Sequence, residues 1–246
     1  MVDDFHMSKP TFPPHPHAGI SAVTYVLPES EGTHVSFDSL GQVVAIHPGD
    51  LHWFCAGRGA VHTEEPDDAP VHGLQLFINL PIKGKRNEPF GLHLNAADIP
   101  EVTQDNLNTR VVIGSYGGLT SPFNPPAPIM LLDFRSGAKA VAEVPLTAGW
   151  AGLIYVLSGQ VSAHLDGAIA EIDAKHALGF ESIGFPVQIE ASSDARWVVL
   201  FGEALHEPYV SGGPIIMESD EANHERFGAY RRGEFGILTN YPKSIR

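Results

Sequence analysis

The chain has 246 residues, 43% of them hydrophobic and 18% charged, which is typical of a globular protein and excludes a disordered one. Its 29 acidic and 15 basic residues give a formal net charge of −14, which disfavours contact with phosphate backbones and so predicts no direct nucleic-acid binding. The single cysteine, Cys55, excludes an intrachain disulfide. Because neither a signal peptide nor an apolar run of transmembrane length is visible, we expect a soluble cytoplasmic protein without a membrane partner.

Short β-strands are predicted along most of the chain. The sequence holds 25 glycines and 20 prolines, which suit tight turns between strands better than long helices. Residues 1–12 are predicted to form an edge segment, and residues 21–27 and 72–80 are rich in β-branched, aromatic or alternating apolar residues. The predicted fold class is all-β.

Proline residues divide the chain in two. We expect an N-terminal domain over residues 1–103, a linker over 104–128 and a C-terminal domain over 129–246. One helix is predicted in the last domain, with Ser219 as its N-cap and Gly233 as its end. We expect this short C-terminal helix to pack on the surface, without a catalytic part.

An internal repeat relates the two halves. Residues 23–27 match residues 153–157, and residues 46–64 can be laid without gaps on residues 172–190. In this overlay Gln188 takes the place of His62, Glu190 that of Glu64, and Pro145 and Thr147 those of His15 and His17. The sequence therefore predicts a metal site in the first half and none in the second.

Two short motifs, His15-x-His17 and His62-x-Glu64, predict that site. Residues i and i+2 of a β-strand point to the same face, so each motif aims two ligands at one side of a sheet. If the two strands are neighbours, three imidazoles and one carboxylate converge. Four ligands leave two open positions in an octahedron, which favours iron(II), with nickel, manganese, cobalt or copper as alternatives and zinc as a less natural one.

Other histidines are expected to be structural, because thirteen histidines produce some close spacings by chance. His52 is an exception, since it lies close in sequence to the predicted strand that carries His62 and Glu64. The remaining ones are expected at the surface or in loops: His34, His47, His72, His93, His164, His176, His206 and His224.

Several motifs together resemble the pirin family. They are His15-Pro16-His17-x-Gly19, Pro48-Gly49-Asp50-x-x-Trp53, Ala56-Gly57-Arg58-Gly59-x-x-His62-x-Glu64 and His72-Gly73-Leu74-Gln75-Leu76, with Gly202-Glu203-x-Leu205-x-Glu207-Pro208 near the end. The resemblance implies a bicupin, with two cupin-type, jelly-roll-like β-barrels and one metal, usually iron, in the first. Carried over by position, the metal ligands are His15, His17, His62 and Glu64. Family members commonly have Arg and Glu where this chain has Ala18 and Ser21, so its pocket is expected to differ in charge.

The resemblance also implies two alternative functions. Pirins are similar to quercetin 2,3-dioxygenases, which implies a flavonol and O₂ as substrates, with Glu64 as the base that takes the substrate's hydroxyl proton. His52, Trp53, Gln75 and Phe77 are the expected pocket residues. The alternative is a non-enzymatic, redox-sensitive regulator that binds a transcription factor or a metabolic enzyme such as pyruvate dehydrogenase.

Overall fold

The computed structural model describes residues 1–67, 69–137, 139–181 and 184–241. These residues form antiparallel β-sheets and one α-helix, so the predicted all-β class with a short C-terminal helix is confirmed. Among the described residues no helix has both the length and the apolar character needed to cross a bilayer.

The chain divides into two compact units, Met1–Ala96 with His206–Arg246, and Ala97–Leu205. This division differs from the expected one at two points. The segment expected to be a linker contains β11 (Leu107–Ile113), which is hydrogen-bonded in a sheet of the second unit. The end of the chain returns to the first unit, where the backbone amide of Ile216 donates to the carbonyl of Ala18 at 3.0 Å.

Two antiparallel sheets build the first unit. One has the strand order β1-β8-β3-β6-β9, with β1 (Val2–Met7), β3 (Ile20–Val26), β6 (Leu51–Cys55), β8 (Val71–Asn79) and β9 (Phe90–Leu94). The other has the order β2-β7-β4-β5, with β2 (His15–His17), β4 (His34–Asp38), β5 (Val43–Ile46) and β7 (Ala60–Pro66). All residues of the central strand β3 are buried, which explains why its sequence is apolar or small without alternation. The expected N-terminal edge segment is the edge strand β1.

A hairpin and the helix complete the first unit. The hairpin consists of β22 (Val210–Gly212) and β23 (Ile215–Met217), and α1 spans Asp220–Arg231. The Ser219 hydroxyl accepts a hydrogen bond from the backbone amide of Ala222 at 3.2 Å, so the predicted N-cap is confirmed. Ala222 and Ala229 of α1 pack with Ile215 and Met217 in a small apolar cluster. Two short 3₁₀ turns lie at Ile82–Gly84 and Ala96–Asp98.

A six-stranded and a four-stranded antiparallel sheet build the second unit. A short pair of strands, β12 (Ser115–Tyr116) and β13 (Leu119–Thr120), is added to them. The six-stranded sheet has the order β10-β11-β14-β21-β16-β19, with β10 (Glu101–Gln104), β11, β14 (Ile129–Ser136), β16 (Trp150–Ser158), β19 (Ala177–Glu181) and β21 (Ala195–Glu203). The other has the order β15-β20-β17-β18, with β15 (Ala140–Val144), β17 (Gln160–Leu165), β18 (Ala168–Asp173) and β20 (Val187–Ala191).

The interior of the second unit is apolar, and this corrects the sequence overlay. Val187 and Ile189 of β20 are fully buried in the core cluster, whereas Gln188 is exposed and the Glu190 side chain is 43% exposed. The overlay on His62 and Glu64 was therefore wrong in register, because a shift by one residue turns every side chain of a strand to the other face. Gln188 and Glu190, which the overlay matched to His62 and Glu64, therefore point away from the core.

Candidate metal centre

Strand pairing brings the two histidine motifs together. β2 and β7 are antiparallel neighbours, and His15 lies directly opposite His62 in their register. The ring centroids of His15, His17 and His62 are 4.7 to 4.9 Å apart, and their ligand nitrogens all lie within 4.8 Å of one another. Three imidazoles from two strands thus converge on one point, as the alternation of side chains along a strand requires.

Backbone carbonyls orient two of these rings. The Nδ1 atom of His15 is 3.0 Å from the carbonyl of Pro13, and that of His17 is 3.1 Å from the carbonyl of Pro214. A carbonyl only accepts, so each Nδ1 carries the proton and each Nε2 is left with a free lone pair. Such an outer contact is the usual way in which proteins fix the ring of a metal-binding histidine.

The donor set fits a divalent metal ion. Nε2 of His17 and Nδ1 of His62 are buried and find no hydrogen-bond partner among the described residues. A buried polar atom without a partner destabilises a fold by about 1–3 kcal/mol, and coordination would remove that cost. Neutral imidazoles are good ligands for first-row transition metals.

Glu64 lies beside this group rather than within it. It follows His62 by two residues on β7 and lines the same cavity, but the structure places its carboxylate against other groups. The Thr24 hydroxyl donates to Oε1 of Glu64 at 2.8 Å, and Nε2 of His34 lies 3.8 Å from the same oxygen. Around this cavity, the ligand atoms that lie within 4.8 Å of one another are those of His15, His17 and His62.

Burial sets the charge of the site. It lowers the pKa of His17 from 6.5 to about 4, with a smaller contribution from the neighbouring His15, and it lowers the pKa of the fully buried His62 well below 6.5. For Glu64, burial alone would raise the pKa, but the neighbouring His34, His62 and the Thr24 hydroxyl outweigh it, and the net shift is downward. At neutral pH His17 and His62 are therefore uncharged, and the Glu64 carboxylate is ionised.

The site opens into a cavity of about 260 Å³ in the first unit. Apolar side chains form much of its wall, namely Met1, Phe5, Met7, Phe12 and Phe77, and Asp3, His34 and Gln75 add polar groups. Two of the expected pocket residues, Gln75 and Phe77, line this cavity, whereas His52 and Trp53 are not among its lining residues. His52 is buried on β6, where burial lowers its pKa to about 4, and Trp53 points to the opposite face of that strand.

Several site residues escaped the sequence analysis. His34 was expected at the surface or in a loop, and this was wrong, because it is buried in β4 and lines the cavity. Phe54 stacks on the His62 ring, with centroids 4.8 Å apart and planes at 10°. A strand beginning one residue earlier, at His34, would have placed His34 and Ser36 on one face. Nothing in the sequence indicates that Phe54 faces His62, since the contact joins two sheets.

The two departures from the family pattern are both buried. Ala18 is fully buried and packs with Ile215 and Met217, and Ser21 is buried opposite Cys55 in the pairing of β3 with β6. A buried cation comes from elsewhere in the first unit. Nζ of Lys85 donates to the carbonyls of Gly19 and Ile216, each at 2.9 Å. A positive charge is thus held at the carbonyl of Gly19, which follows His17 by two positions in the chain, without an arginine at position 18.

Comparison with known proteins agrees with this architecture. Two family models match, pirin over residues 2–78 and the pirin C-terminal cupin domain over residues 131–236. Pirin from Rattus norvegicus is 35% identical over 241 residues, which cover 96% of this chain and 82% of the rat protein. Quercetin 2,3-dioxygenase from Acinetobacter baumannii superposes with a TM-score of 0.84 at 26% identity, covering 97% of this chain and 86% of that one. Bacterial pirin from Escherichia coli in complex with nickel(II) shares the fold, with a TM-score of 0.60 at 22% identity over 82% of this chain and 80% of that one. The chain therefore belongs to the pirin family and has the bicupin fold.

Proposed function

We propose that the protein is a dioxygenase that uses iron(II) and O₂ to open the ring of a flavonol such as quercetin. The observation that carries this proposal is the convergence of three imidazole nitrogens within 4.8 Å of one another beside an apolar cavity. The likeness to the quercetin 2,3-dioxygenase of Acinetobacter baumannii supports the choice of substrate and of O₂.

The proposed ligands are His15, His17, His62 and Glu64. A metal ion held by them would supply Lewis acidity and open positions for a bidentate substrate and for O₂. Three neutral imidazoles and one carboxylate would leave a divalent ion with a net positive charge, which favours an anionic substrate. Iron(II) is the proposed metal, and nickel, manganese, cobalt, copper and zinc are the alternatives.

Glu64 is the proposed base. Its carboxylate lines the cavity and is ionised at neutral pH, so it has a free lone pair for the proton of a flavonol 3-hydroxyl group. The Thr24 hydroxyl, at 2.8 Å from both Glu64 and the Gln75 side chain, links the base to the cavity wall. This contact would hold the carboxylate in one orientation before and after proton transfer.

The aromatic wall would hold the rings of the substrate. Phe5, Phe12 and Phe77 line the cavity, and the rings of Phe77 and His17 form a T-shaped pair with centroids 5.0 Å apart. Flat apolar surfaces stack well on a planar flavonol and exclude water from the carbanion-like centre that O₂ attacks. Gln75 and Asp3 are the polar residues placed to contact hydroxyl groups of the substrate.

An oxygen electrode tests the proposal. Protein loaded with iron(II) should consume O₂ with quercetin, and the alternative metals are tested beside it. Glu64→Gln should lower the rate by about 10²–10⁴-fold, the usual contribution of a general base. Glu190→Gln, the same change at an exposed position of the second unit, should leave the rate unchanged. Metal content measured on each sample separates loss of the base from loss of the metal. Absence of quercetin-dependent O₂ consumption with every metal would refute the dioxygenase.

The strongly negative charge favours a second candidate, a redox-sensitive regulator. A chain with a net charge of −14 is suited to a partner with a basic surface, and a change of iron oxidation state alters the charge of the site by one unit. Binding of pyruvate dehydrogenase to the iron(II) and iron(III) forms should then differ. Equal binding of the two forms, or none, would rule out this switch.

A further inference from the structure

A second cluster of metal-ligand side chains lies on the first unit, away from the site described above. It comprises Asp4 and His6 of β1 and His72 of β8, whose ligand atoms all lie within 4.8 Å of one another. Nε2 of His72 is 2.7 Å from Oδ1 of Asp4, and the rings of His6 and His72 are stacked with centroids 3.7 Å apart. Two imidazoles and one carboxylate thus meet in a small volume.

Strand register explains why these three residues meet. β1 and β8 are antiparallel, and His6 lies directly opposite His72. Asp4 precedes His6 by two residues and so points to the same face of the sheet. The alternate residues of β1, Asp3, Phe5 and Met7, line the cavity on the other face. The cluster and the candidate metal centre are therefore on opposite sides of one strand.

We propose that Asp4, His6 and His72 form a second metal site, which binds Zn²⁺. Three protein ligands of the nitrogen and oxygen type, with a water molecule as the fourth, are a common set for zinc. Ligand atoms of a tetrahedral zinc site are about 3.3 Å apart for bonds of about 2.0–2.1 Å. On binding zinc, Nε2 of His72 and Oδ1 of Asp4 would move slightly apart from their 2.7 Å contact. The exposed ring of His6, now stacked on His72, would turn so that its nitrogen faces the ion.

Two of the three side chains, Asp4 and His72, are largely buried, which distinguishes this cluster from polar residues that meet by chance on a surface. The side chain of Asp4 is 10% exposed and that of His72 is 20% exposed, so both have already lost much of their hydration in the fold. His6 is exposed, which leaves a path by which the ion and its water ligand can enter. Zinc would take the place of the proton in the hydrogen bond between His72 and Asp4.

Zinc at this position would fasten the edge strand β1 to the sheet. Among the described strands β1 pairs with β8 alone, so it stands at the edge of its sheet, where a strand opens more readily than in the middle. A metal ion bound to both strands adds a cross-link within the pair. Because the other face of β1 carries Asp3, Phe5 and Met7, the same ion would order one wall of the cavity.

Zinc stoichiometry tests the site. Untagged, metal-free protein is dialysed against micromolar zinc and analysed for bound metal, beside His6→Ala and the matched control His176→Ala, which removes an exposed histidine of the second unit. Wild type and His176→Ala should bind one equivalent more than His6→Ala. His6 is exposed, so its removal should leave the fold and the three histidines of the other site intact. Equal stoichiometry in all three proteins would overturn the proposal.

Hydrogen exchange supplies a second readout that does not depend on counting ions. Zinc should slow amide exchange in residues 2–7 of wild-type protein at least several-fold, and Asp4→Asn should abolish this slowing. An equal effect of zinc on wild type and Asp4→Asn would place the ion elsewhere and refute the site. Neither measurement involves oxygenase activity, so the result is independent of the proposed function.

Discussion

Burial keeps His17 and His62 of the candidate metal centre uncharged at neutral pH. Removal of water penalises the protonated ring, so the pKa of His17 falls to about 4. A metal ion can bind only a nitrogen without a proton. At neutral pH a metal ion therefore meets little competition from protons, and the cost of burying the rings has already been met by folding.

Burial of His52 predicts a loss of stability in acid. Its pKa falls from 6.5 to about 4 in the folded protein, so between these values the unfolded chain binds more protons than the folded one. The free energy of unfolding of the metal-free protein should therefore decrease as the pH falls from 6.5 to 4, by up to ~3 kcal/mol for this residue.

Urea denaturation at several pH values measures this effect. His52→Gln should flatten the pH dependence, because the glutamine side chain does not titrate, whereas His176→Gln at an exposed position should not. An identical pH dependence for wild type and His52→Gln would contradict the assignment.

Thr24 should act on the metal through Glu64. Its hydroxyl donates to the carboxylate at 2.8 Å, so Thr24→Val removes a contact that orients a proposed ligand while nearly conserving volume. Changes of this kind typically lower metal affinity about 10–100-fold. Titration with nickel or cobalt measures the affinity, and Thr109→Val, at a buried position of the second unit, is the matched control. Unchanged affinity would contradict a role of Thr24 in orienting a metal ligand.

The two motifs of the candidate metal centre could be predicted because they are local. His15-x-His17 and His62-x-Glu64 need only the alternation of a strand, and the family resemblance pairs them. The surroundings could not be predicted, because Thr24, His34 and Phe54 approach from other strands. Their contacts depend on how two sheets face each other, which no short stretch of sequence records.

At the level of elements, the strands and the helix were easier to predict than their register. The alternating β8 and the capped helix α1 follow from local patterns. The overlay of the two halves failed at β20. It matched residues that point inward in β7 with residues that point outward in β20. Local composition predicts that a strand exists. Which of its side chains point inward depends on the core that the strand covers, and in the second unit this apolar core contains Val187 and Ile189.

Gly19, which follows β2 in the chain, allows the hairpin of β22 and β23 to pack closely against it. It has φ of +74°, and a Cβ atom there would lie 1.9 Å from the carbonyl oxygen of Ile216. Gly19→Ala should therefore cost at least about 3 kcal/mol, as expected for a severe clash. It should also weaken metal binding, since the same hairpin turn carries Pro214, the partner of His17.

Gly41→Ala is the matched control for this substitution. Gly41 also has a positive φ, +86°, but a Cβ atom there meets nothing within 4 Å, so the change should cost only the backbone strain of about 1–2 kcal/mol. Urea denaturation compares the two variants. Equal losses would mean that backbone conformation alone, and not the contact with the hairpin, makes Gly19 necessary.

At the scale of the whole molecule, the two units fill their interiors differently. The second unit buries a continuous apolar cluster that includes Phe134, Trp197 and Val199. The first unit buries histidines beside a cavity, and several of their nitrogens have no hydrogen-bond partner among the described residues. Buried polar atoms without partners lower stability, so the first unit should depend on a bound ion more than the second.

Removal of the metal should therefore destabilise the first unit selectively. A ligand present at 1,000 times its dissociation constant stabilises the folded state by about 4 kcal/mol, and this contribution is lost on chelation. Hydrogen exchange with and without chelator should show faster exchange in peptides from residues 1–96 and 206–241, and little change in those from 97–205. Protein with His15→Ala and His62→Ala together should already exchange quickly and should not respond to chelator. A uniform response along the chain would contradict a metal held by the first unit alone, because an ion in that unit can protect only the residues whose opening would release it.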